Sequence, residues 1–124
     1  MFNTLSIYGS HDASVTFIDA HGDIRVLEYE RFTNQRYGAF TSRMDHRKGL
    51  GSNDNKRSLF LKYIKGIVGN KINHILYNEL NSHDLELISS YFPNGKFKKM
   101  EHHLSHAASG YFQSGFNNSI ILSI

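Results

Sequence analysis

The chain has 124 residues, of which 40% are hydrophobic and 20% charged, a composition that fits one globular domain and excludes a disordered segment. It contains no cysteine, which excludes disulfides and cysteine-ligated zinc and is compatible with a reducing cytoplasm. The net charge is +3, and neither a membrane-spanning apolar run nor a secretory leader is visible.

The positive charges are concentrated in residues 43–57 and at Lys96, Lys98 and Lys99. Neither stretch has the interleaved aromatic residues of a single-strand-binding surface, and no DNA-binding motif is present. We therefore expect no nucleic-acid partner, and we interpret residues 43–57 as a solvated or phosphate-facing loop.

Three short runs with β-strand character open the chain, and Gly- and Asp-containing turns separate them. They are Thr4–Tyr8, residues 14–19 and residues 24–29. Strands joined by such turns predict a meander of three antiparallel strands. The following residues 38–55 are rich in Gly, Ser and Asn without periodicity, which predicts a long loop of a kind that is usually functional or mobile.

Helices and strands alternate after this loop. The expected elements are a helix over residues 55–68, a strand over 73–77, a helix capped by Ser82, a strand over 97–101, a helix over 103–114 and a strand over 118–124. The first of these helices is predicted from the helical spacing of Leu59, Phe60, Tyr63, Ile64 and Ile67. The whole order predicts an α/β fold, in which a mixed sheet of three antiparallel strands is followed by alternating helices and strands.

The densest motif is the run EHHLSHA at residues 101–107. If it opens a helix, His102 and His106 lie one turn apart on one face and can share a divalent ion. His103 then points about 100° away and suits a substrate-binding role. The alternative is an ordinary pair of surface histidines, since two imidazoles are not a complete metal site and further ligands must come from elsewhere.

A second motif is the run GSHDAS at residues 9–14, between the first two strands. A tight turn of small residues, including Ser10, Ala13 and Ser14, presents backbone N–H groups that can cradle phosphate. His11 and Asp12 add a titratable pair that could position a substrate or a metal-bound water. The alternative is a turn without a function.

A third motif follows the third strand, where Glu30 and Arg31 break the apolar pattern. Arg31 and Arg36 could each clamp a phosphate or a carboxylate through the planar guanidinium group. A surface ion pair between Glu30 and an arginine, which contributes little to stability, explains the pattern equally well.

Together, G-x-HDAS, E-R-F-T-x-x-R and HHLSHAASGYFQSGF resemble the N-terminal part of the antibiotic- and nodulation-type O-carbamoyltransferases. The resemblance covers nearly the whole chain but is thin between residues 41 and 95. Hydrogenase-maturation proteins and tRNA threonylcarbamoyl-adenosine synthases are related and share the metal-binding histidine pair.

The resemblance implies an RNase-H-like half-domain of the ASKHA superfamily and transfer of a carbamoyl group from carbamoyl phosphate, by way of an ATP-derived carbamoyl-adenylate, to a hydroxyl of a small molecule. His102 and His106 would ligate a divalent metal, with iron expected, and His11 and Asp12 would be catalytic. The substrate- and phosphate-binding residues would be Ser10, Ala13, Ser14, Arg31, Arg36 and His103.

Two features depart from the family pattern. The chain stops at Ile124, where an Asp-Gly-Gly turn would follow, so we expect a truncated enzyme. Residues 1–117 would then form the first subdomain, residues 118–124 would begin a second, and the chain alone would be inactive without its C-terminal remainder. Arg36 and Tyr37 also stand where the family often has Lys-His. Threonylcarbamoyl transfer to tRNA and a non-catalytic ASKHA domain remain the alternatives.

Overall fold

The computed structural model describes residues 2–41 and 54–122, which form an α/β fold with a five-stranded mixed sheet and helices. The strands are β1 (Thr4–Tyr8), β2 (Ser14–Ile18), β3 (Ile24–Glu28), β4 (His74–Asn78) and β5 (Lys96–Lys99). The helices are α1 (Tyr29–Thr33), α2 (Asp54–Val68), α3 (Ser82–Tyr91) and α4 (His102–Ser114). Across the described ranges, none of these helices combines the length and the apolarity needed to cross a bilayer.

The sheet has the strand order β3-β2-β1-β4-β5. Strand β2 pairs antiparallel with β1 and β3, whereas β4 pairs parallel with β1 and β5. At the carboxyl end of β1, Tyr8 is in register with Ser14 of β2 and with Asn78 of β4. The chain segments that follow β1 and β4 therefore lie side by side at one end of the sheet, where ligands bind in many open α/β sheets.

One face of the sheet packs against α2 and α3 and forms the core. Alternating residues of the strands supply the sheet side of this core, because successive side chains of a strand point to opposite faces. The core includes Leu5, Ile7, Val15, Phe17, Phe60, Leu61, Ile64, Ile75 and Ile88. In α2, Phe60, Leu61 and Ile64 belong to this core, whereas Leu59 and Tyr63 are 51% and 50% exposed.

Helix α1 was not expected, because the run of β-strand character extends to Tyr29. Strand β3 ends one residue earlier, and Tyr29 turns into the core as the first helical residue, 1% exposed. Its ring packs edge-on against Phe40 and Phe60, with centroid distances of 5.7 and 4.9 Å. The helix ends at Asn34, whose φ of 54° is a left-handed C-cap.

Helix α3 is capped by Asn81, and the predicted cap Ser82 is the first helical residue. The Asp84 N–H donates to Asn81 Oδ1 at 2.9 Å, and the Asn81 N–H donates to Asp84 Oδ2 at 3.0 Å. This reciprocal capping box satisfies two N–H groups at once. Ser82 could not form such a box, because Leu85, three residues after it, has no side-chain acceptor. Asp84, three residues after Asn81, therefore decides that Asn81 and not Ser82 is the cap.

Arg57 was assigned to a solvated basic stretch, but the structure places its side chain in the interior. Arg57 and Asp84 form an ion pair in which both side chains are 0% exposed. Asp84 Oδ2 also accepts the Thr41 hydroxyl at 2.7 Å. Burial of the cation is tolerable because the carboxylate neutralises it. Residues 43–53 of the basic stretch lie outside the described residues.

The apolar run expected to form a final strand is not part of the sheet. Residues 118–122 form no strand with any described residue, and Ile120 and Leu122 are 100% and 82% exposed. A strand requires a neighbouring backbone to accept its hydrogen bonds, and no described strand lies beside this segment. Residues 123–124 lie outside the described residues.

The turn between β2 and β3 depends on an ionised Asp19. Its Oδ1 accepts the N–H groups of His21 and Asp23 at 2.8 and 3.0 Å. Partial desolvation raises the pKa of the Asp19 carboxyl, but these backbone donors outweigh it and leave the pKa below its ordinary value of 3.8.

We predict that acid weakens this turn. A lowered folded-state pKa means that the contribution to stability is complete above the ordinary value and is lost as the pH falls through the folded-state pKa. Measured relative to an unstructured peptide at the same pH, the protection of the His21 and Asp23 amides against exchange should therefore decrease in acid, and Asp19→Asn should remove most of this dependence. An unchanged acid response in Asp19→Asn would contradict the assignment.

Candidate functional site

A cavity of about 530 Å³ lies at the carboxyl ends of β1 and β4. It is bounded by the turn after β1 and by the amino-terminal part of α4. Its lining residues are Ser6, Ile7, Tyr8, His11, Asp12, Tyr77, Asn78, Met100, His102, Ser105 and His106. Two of the three sequence motifs, which lie near opposite ends of the chain, therefore meet in one cavity, hereafter the histidine cavity.

His102 and His106 face each other across one turn of α4. Their Nε2 atoms are 3.0 Å apart, and their ring centroids are 4.6 Å apart. Two nitrogen ligands bound at about 2.0–2.1 Å would be about 3.0 Å apart at right angles and about 3.4 Å apart at the tetrahedral angle. The observed separation fits two ligands of one ion, and it equally fits a hydrogen bond from one imidazole to the other.

The histidine pair by itself is not a complete metal site. No group of three or more His, Asp or Glu side chains in these ranges is arranged to hold a metal ion. The pair therefore fits two coordination positions of an ion, and His11 and Asp12 line the same cavity without completing a cluster.

Helix α4 begins at His102, one residue before the predicted start, because Glu101 caps it. The Glu101 carboxylate accepts the N–H groups of Leu104 and His103. These two donors hold the pKa of the carboxyl below its ordinary value. The cap fixes the first turn, so that His102 and His106 are both helical and share a face.

His103 lies away from the histidine cavity, as its place on the helix predicts. It does not belong to the lining residues, and its ring centroid is 5.7 Å from that of His102. Nothing in its position supports the substrate-binding role that we expected for it.

The turn at residues 9–13 leaves backbone donors available. The N–H groups of Gly9 and Ala13 donate to Asn78 O and Gly38 O at 3.1 and 3.2 Å. In contrast, the N–H groups of Ser10, His11 and Asp12 have no acceptor within the described part of the chain. Three successive N–H groups in a turn can bind an anion.

His11 and Asp12 form a hydrogen bond at the edge of the histidine cavity, with His11 Nδ1 at 2.9 Å from Asp12 Oδ2. An ionised carboxylate only accepts, so His11 Nδ1 is the donor. In the neutral imidazole, Nε2 then carries the lone pair and can accept a proton. Tyr8 lies between the two motifs, since its ring centroid is 6.1 Å from those of both His11 and His102.

A second cavity, also of about 530 Å³, adjoins the same turn and is hereafter the charged cavity. It is lined by Asp12, Ala13, Glu28, Glu30, Arg31, Asn34 and Arg36. Asp12 lines both cavities, so the turn connects the first motif with the third. Ser14, the first residue of β2, is half-buried and lines neither cavity.

The two arginines of the charged cavity have different surroundings. Arg31 pairs with Glu28 rather than with the expected Glu30, and this contact raises its pKa. The Arg36 guanidinium lies 4.9 Å from the ring centroid of Tyr37, a cation–π contact. Arg31 thus takes part in a surface ion pair with Glu28. Arg36 is therefore the better candidate of the two for binding an anion.

Sequence reasoning missed seven of the residues that line the histidine cavity, among them Tyr8, Tyr77, Asn78 and Met100. Asn78 Nδ2 donates to Met100 O at 2.9 Å and so ties the end of β4 to the segment before α4. The one available signal was their position at or just beyond the ends of predicted strands, which in α/β sheets is where ligands bind.

Two of the three motifs, taken separately from the sequence, thus share one cavity, and the third occupies the adjoining one. Comparison of the chain with protein-family models, with curated proteins and with solved structures finds no match.

Proposed function

We propose that this chain forms part of the active site of an ATP-dependent carbamoyltransferase that transfers a carbamoyl group from carbamoyl phosphate to a hydroxyl of a small molecule. The observation that carries the proposal is the meeting of His11 and Asp12 with His102 and His106 in one cavity. Sequence spacing does not require this meeting, but a shared catalytic role does. A mixed sheet with alternating helices also fits the ASKHA half-domain that the resemblance implies.

In this proposal the turn at residues 10–12 binds phosphate oxygens through its backbone N–H groups. These groups have no acceptor in the described ranges, so they need not break an existing hydrogen bond to bind an anion. Fixed donors of this kind stabilise charge without reorganisation during the reaction. Arg36, in the adjoining charged cavity, supplies positive charge for a further oxyanion.

His11 is the proposed general base. His11 Nδ1–H donates to Asp12 Oδ2, with 2.9 Å between the two heavy atoms, which leaves Nε2 of the neutral ring free to accept a proton from the acceptor hydroxyl. Removing that proton makes the hydroxyl oxygen nucleophilic towards the carbamoyl carbon of the carbamoyl-adenylate, and AMP leaves as the new C–O bond forms. Asp12 therefore orients the base and stabilises the imidazolium that forms.

His102 and His106 would hold a divalent ion, with Fe²⁺ expected, close to the phosphate groups of ATP. When bound, such an ion acts as a Lewis acid and neutralises charge on the phosphate oxygens. The two helical histidines contribute orientation, because the Glu101 cap and the α4 backbone set the separation of their Nε2 atoms. We propose a cytoplasmic location, in keeping with nucleotide-dependent chemistry.

The tRNA-directed alternative gains no specific support. Its expected RNA contact was residues 43–57, and Arg57 is buried against Asp84 instead of facing solvent. The non-catalytic alternative interprets the histidine pair as an imidazole–imidazole hydrogen bond, and metal binding separates these two interpretations.

We predict that the chain binds Co²⁺, used as a spectroscopic probe, through the histidine pair. Calorimetry and visible absorption should show one site, and His102→Ala with His106→Ala should weaken binding at least about tenfold. Affinity should also decrease in acid, because a protonated imidazole cannot ligate a metal.

His21→Ala is the matched control, since His21 lies in the β2–β3 turn outside both cavities. It should leave Co²⁺ binding unchanged. Equal affinity of the wild type and the double variant would remove the metal site from the proposal.

A further inference from the structure

The turn at residues 10–12 is held from both ends by residues 38–41, hereafter the anchoring segment. The N–H groups of Phe40 and Thr41 both donate to Gly9 O, at 3.0 and 2.9 Å. At the other end of the turn, the Ala13 N–H donates to Gly38 O at 3.2 Å. The open donors of the turn are thus fixed relative to the anchoring segment.

The anchoring segment is in turn attached to the protein interior by two side chains. Phe40 is 1% exposed and packs against Tyr29 and Phe60. Thr41 is 8% exposed, and its hydroxyl donates to Asp84 Oδ2 at 2.7 Å. Asp84 itself is held by Arg57 and by the capping box of α3.

A continuous series of hydrogen bonds therefore runs from a buried carboxylate to the candidate phosphate-binding turn. It passes from Asp84 to the Thr41 side chain, through the Thr41 backbone and on to Gly9 O. A hydrogen bond to a charged, buried acceptor is stronger and more directional than one in water. Phe40 is fixed by its packing against Tyr29 and Phe60, and the hydrogen bond of the Thr41 hydroxyl fixes the next residue, at the end of the segment.

We infer that Thr41 is a positioning residue, whose hydrogen bond to Asp84 sets the geometry of the Ser10, His11 and Asp12 N–H groups and thereby their affinity for phosphate. The affinity part of this inference rests on the proposed function, whereas the positioning part does not. Thr41 belongs to none of the three sequence motifs and lines neither cavity.

The test compares Thr41→Val, which removes the hydroxyl at nearly constant volume, with Thr41→Ser, which keeps it. The first measurement uses no ligand and records the amide chemical shifts and hydrogen exchange of residues 10–12. We expect Thr41→Val to shift these amides and accelerate their exchange, and Thr41→Ser to restore values close to those of the wild type. The same change in Thr4→Val, at the far end of β1, should leave them unchanged.

The second measurement titrates inorganic phosphate and follows the same amides. Thr41→Val should weaken phosphate binding about tenfold, the equivalent of one charge-assisted hydrogen bond. Co²⁺ binding at His102 and His106 should remain as in the wild type, because α4 makes no hydrogen bond with the anchoring segment within the described ranges.

Unchanged amide shifts and exchange in Thr41→Val would overturn the inference. If the amides move in Thr41→Val and recover in Thr41→Ser, Thr41 is a positioning residue. If phosphate perturbs none of these amides in the wild-type protein, the phosphate-binding role of the turn is overturned by itself. The positioning role of Thr41 would stand, because the ligand-free comparison does not depend on phosphate binding.

Discussion

Replacing Asp84 by Ala is expected to lower the free energy of unfolding by about 3–5 kcal/mol. The reason is that Arg57, 0% exposed, would keep its charge in the interior without its carboxylate partner. The same change removes the acceptor of the Thr41 hydroxyl and half of the α3 capping box. Since small domains are stable by about 5–15 kcal/mol, this loss is large enough to unfold part of the population at equilibrium. Urea denaturation followed by circular dichroism measures it.

Two further variants identify burial as the cause. Arg31→Ala breaks the exposed pair with Glu28 and should leave stability nearly unchanged. The double replacement Arg57→Met with Asp84→Leu removes both charges and should recover part of the loss. A single Asp84→Ala variant as stable as Arg31→Ala would mean that the pair is hydrated and not buried.

The second large effect is expected at Gly9, at the junction between β1 and the candidate phosphate-binding turn. A Cβ at this position would lie 2.3 Å from Leu80 Cδ2 and 2.5 Å from Glu79 O. The leucine side chain can rotate, but the backbone carbonyl cannot move without shifting the end of β4. We expect Gly9→Ala to destabilise the protein by about 1–3 kcal/mol and to displace the turn, because forced overpacking is resolved by backbone movement.

Gly66→Ala is the matched control, because a Cβ there meets nothing within 4 Å in α2. It should stabilise the protein by about 0.5–1 kcal/mol, the usual gain from removing a glycine from a helix interior. The two variants carry the same chemical change, and thermal unfolding compares them directly. A Gly9→Ala variant stabilised to the same extent as Gly66→Ala would contradict this prediction, because it would show that a Cβ at residue 9 is accommodated without displacing the Glu79 carbonyl.

The secondary structure was largely predictable from periodicity and turn residues. The five strands of the sheet and helices α2, α3 and α4 lie within two residues of their expected bounds. Local signals suffice for these elements, because alternation and helical spacing report directly which side chains face a core. Helix α1 was missed because its main determinant is the burial of Tyr29 against Phe40 and Phe60, and this contact is not local.

The candidate site was predictable in its parts and not in its assembly. The His102/His106 spacing required only a helix, and the small residues at 9–14 required only a turn. Their meeting in one cavity depends on parallel pairing of β1 with β4, which brings the segments after both strands to the same end of the sheet. That pairing joins residues far apart in the chain, and no local pattern encodes it.

Arg57 illustrates the same division between local and tertiary information. Its sequence neighbourhood is basic and polar, as expected of a solvated loop, and only helical packing places Asp84 against it. The free energy of burying a charge depends on whether a partner is present, and the partner comes from a different helix. Composition and spacing therefore determined which chemical groups this protein has available. The tertiary structure decided which of these groups are buried, paired or left open to a ligand, because burial and pairing arise only when distant parts of the chain are brought together.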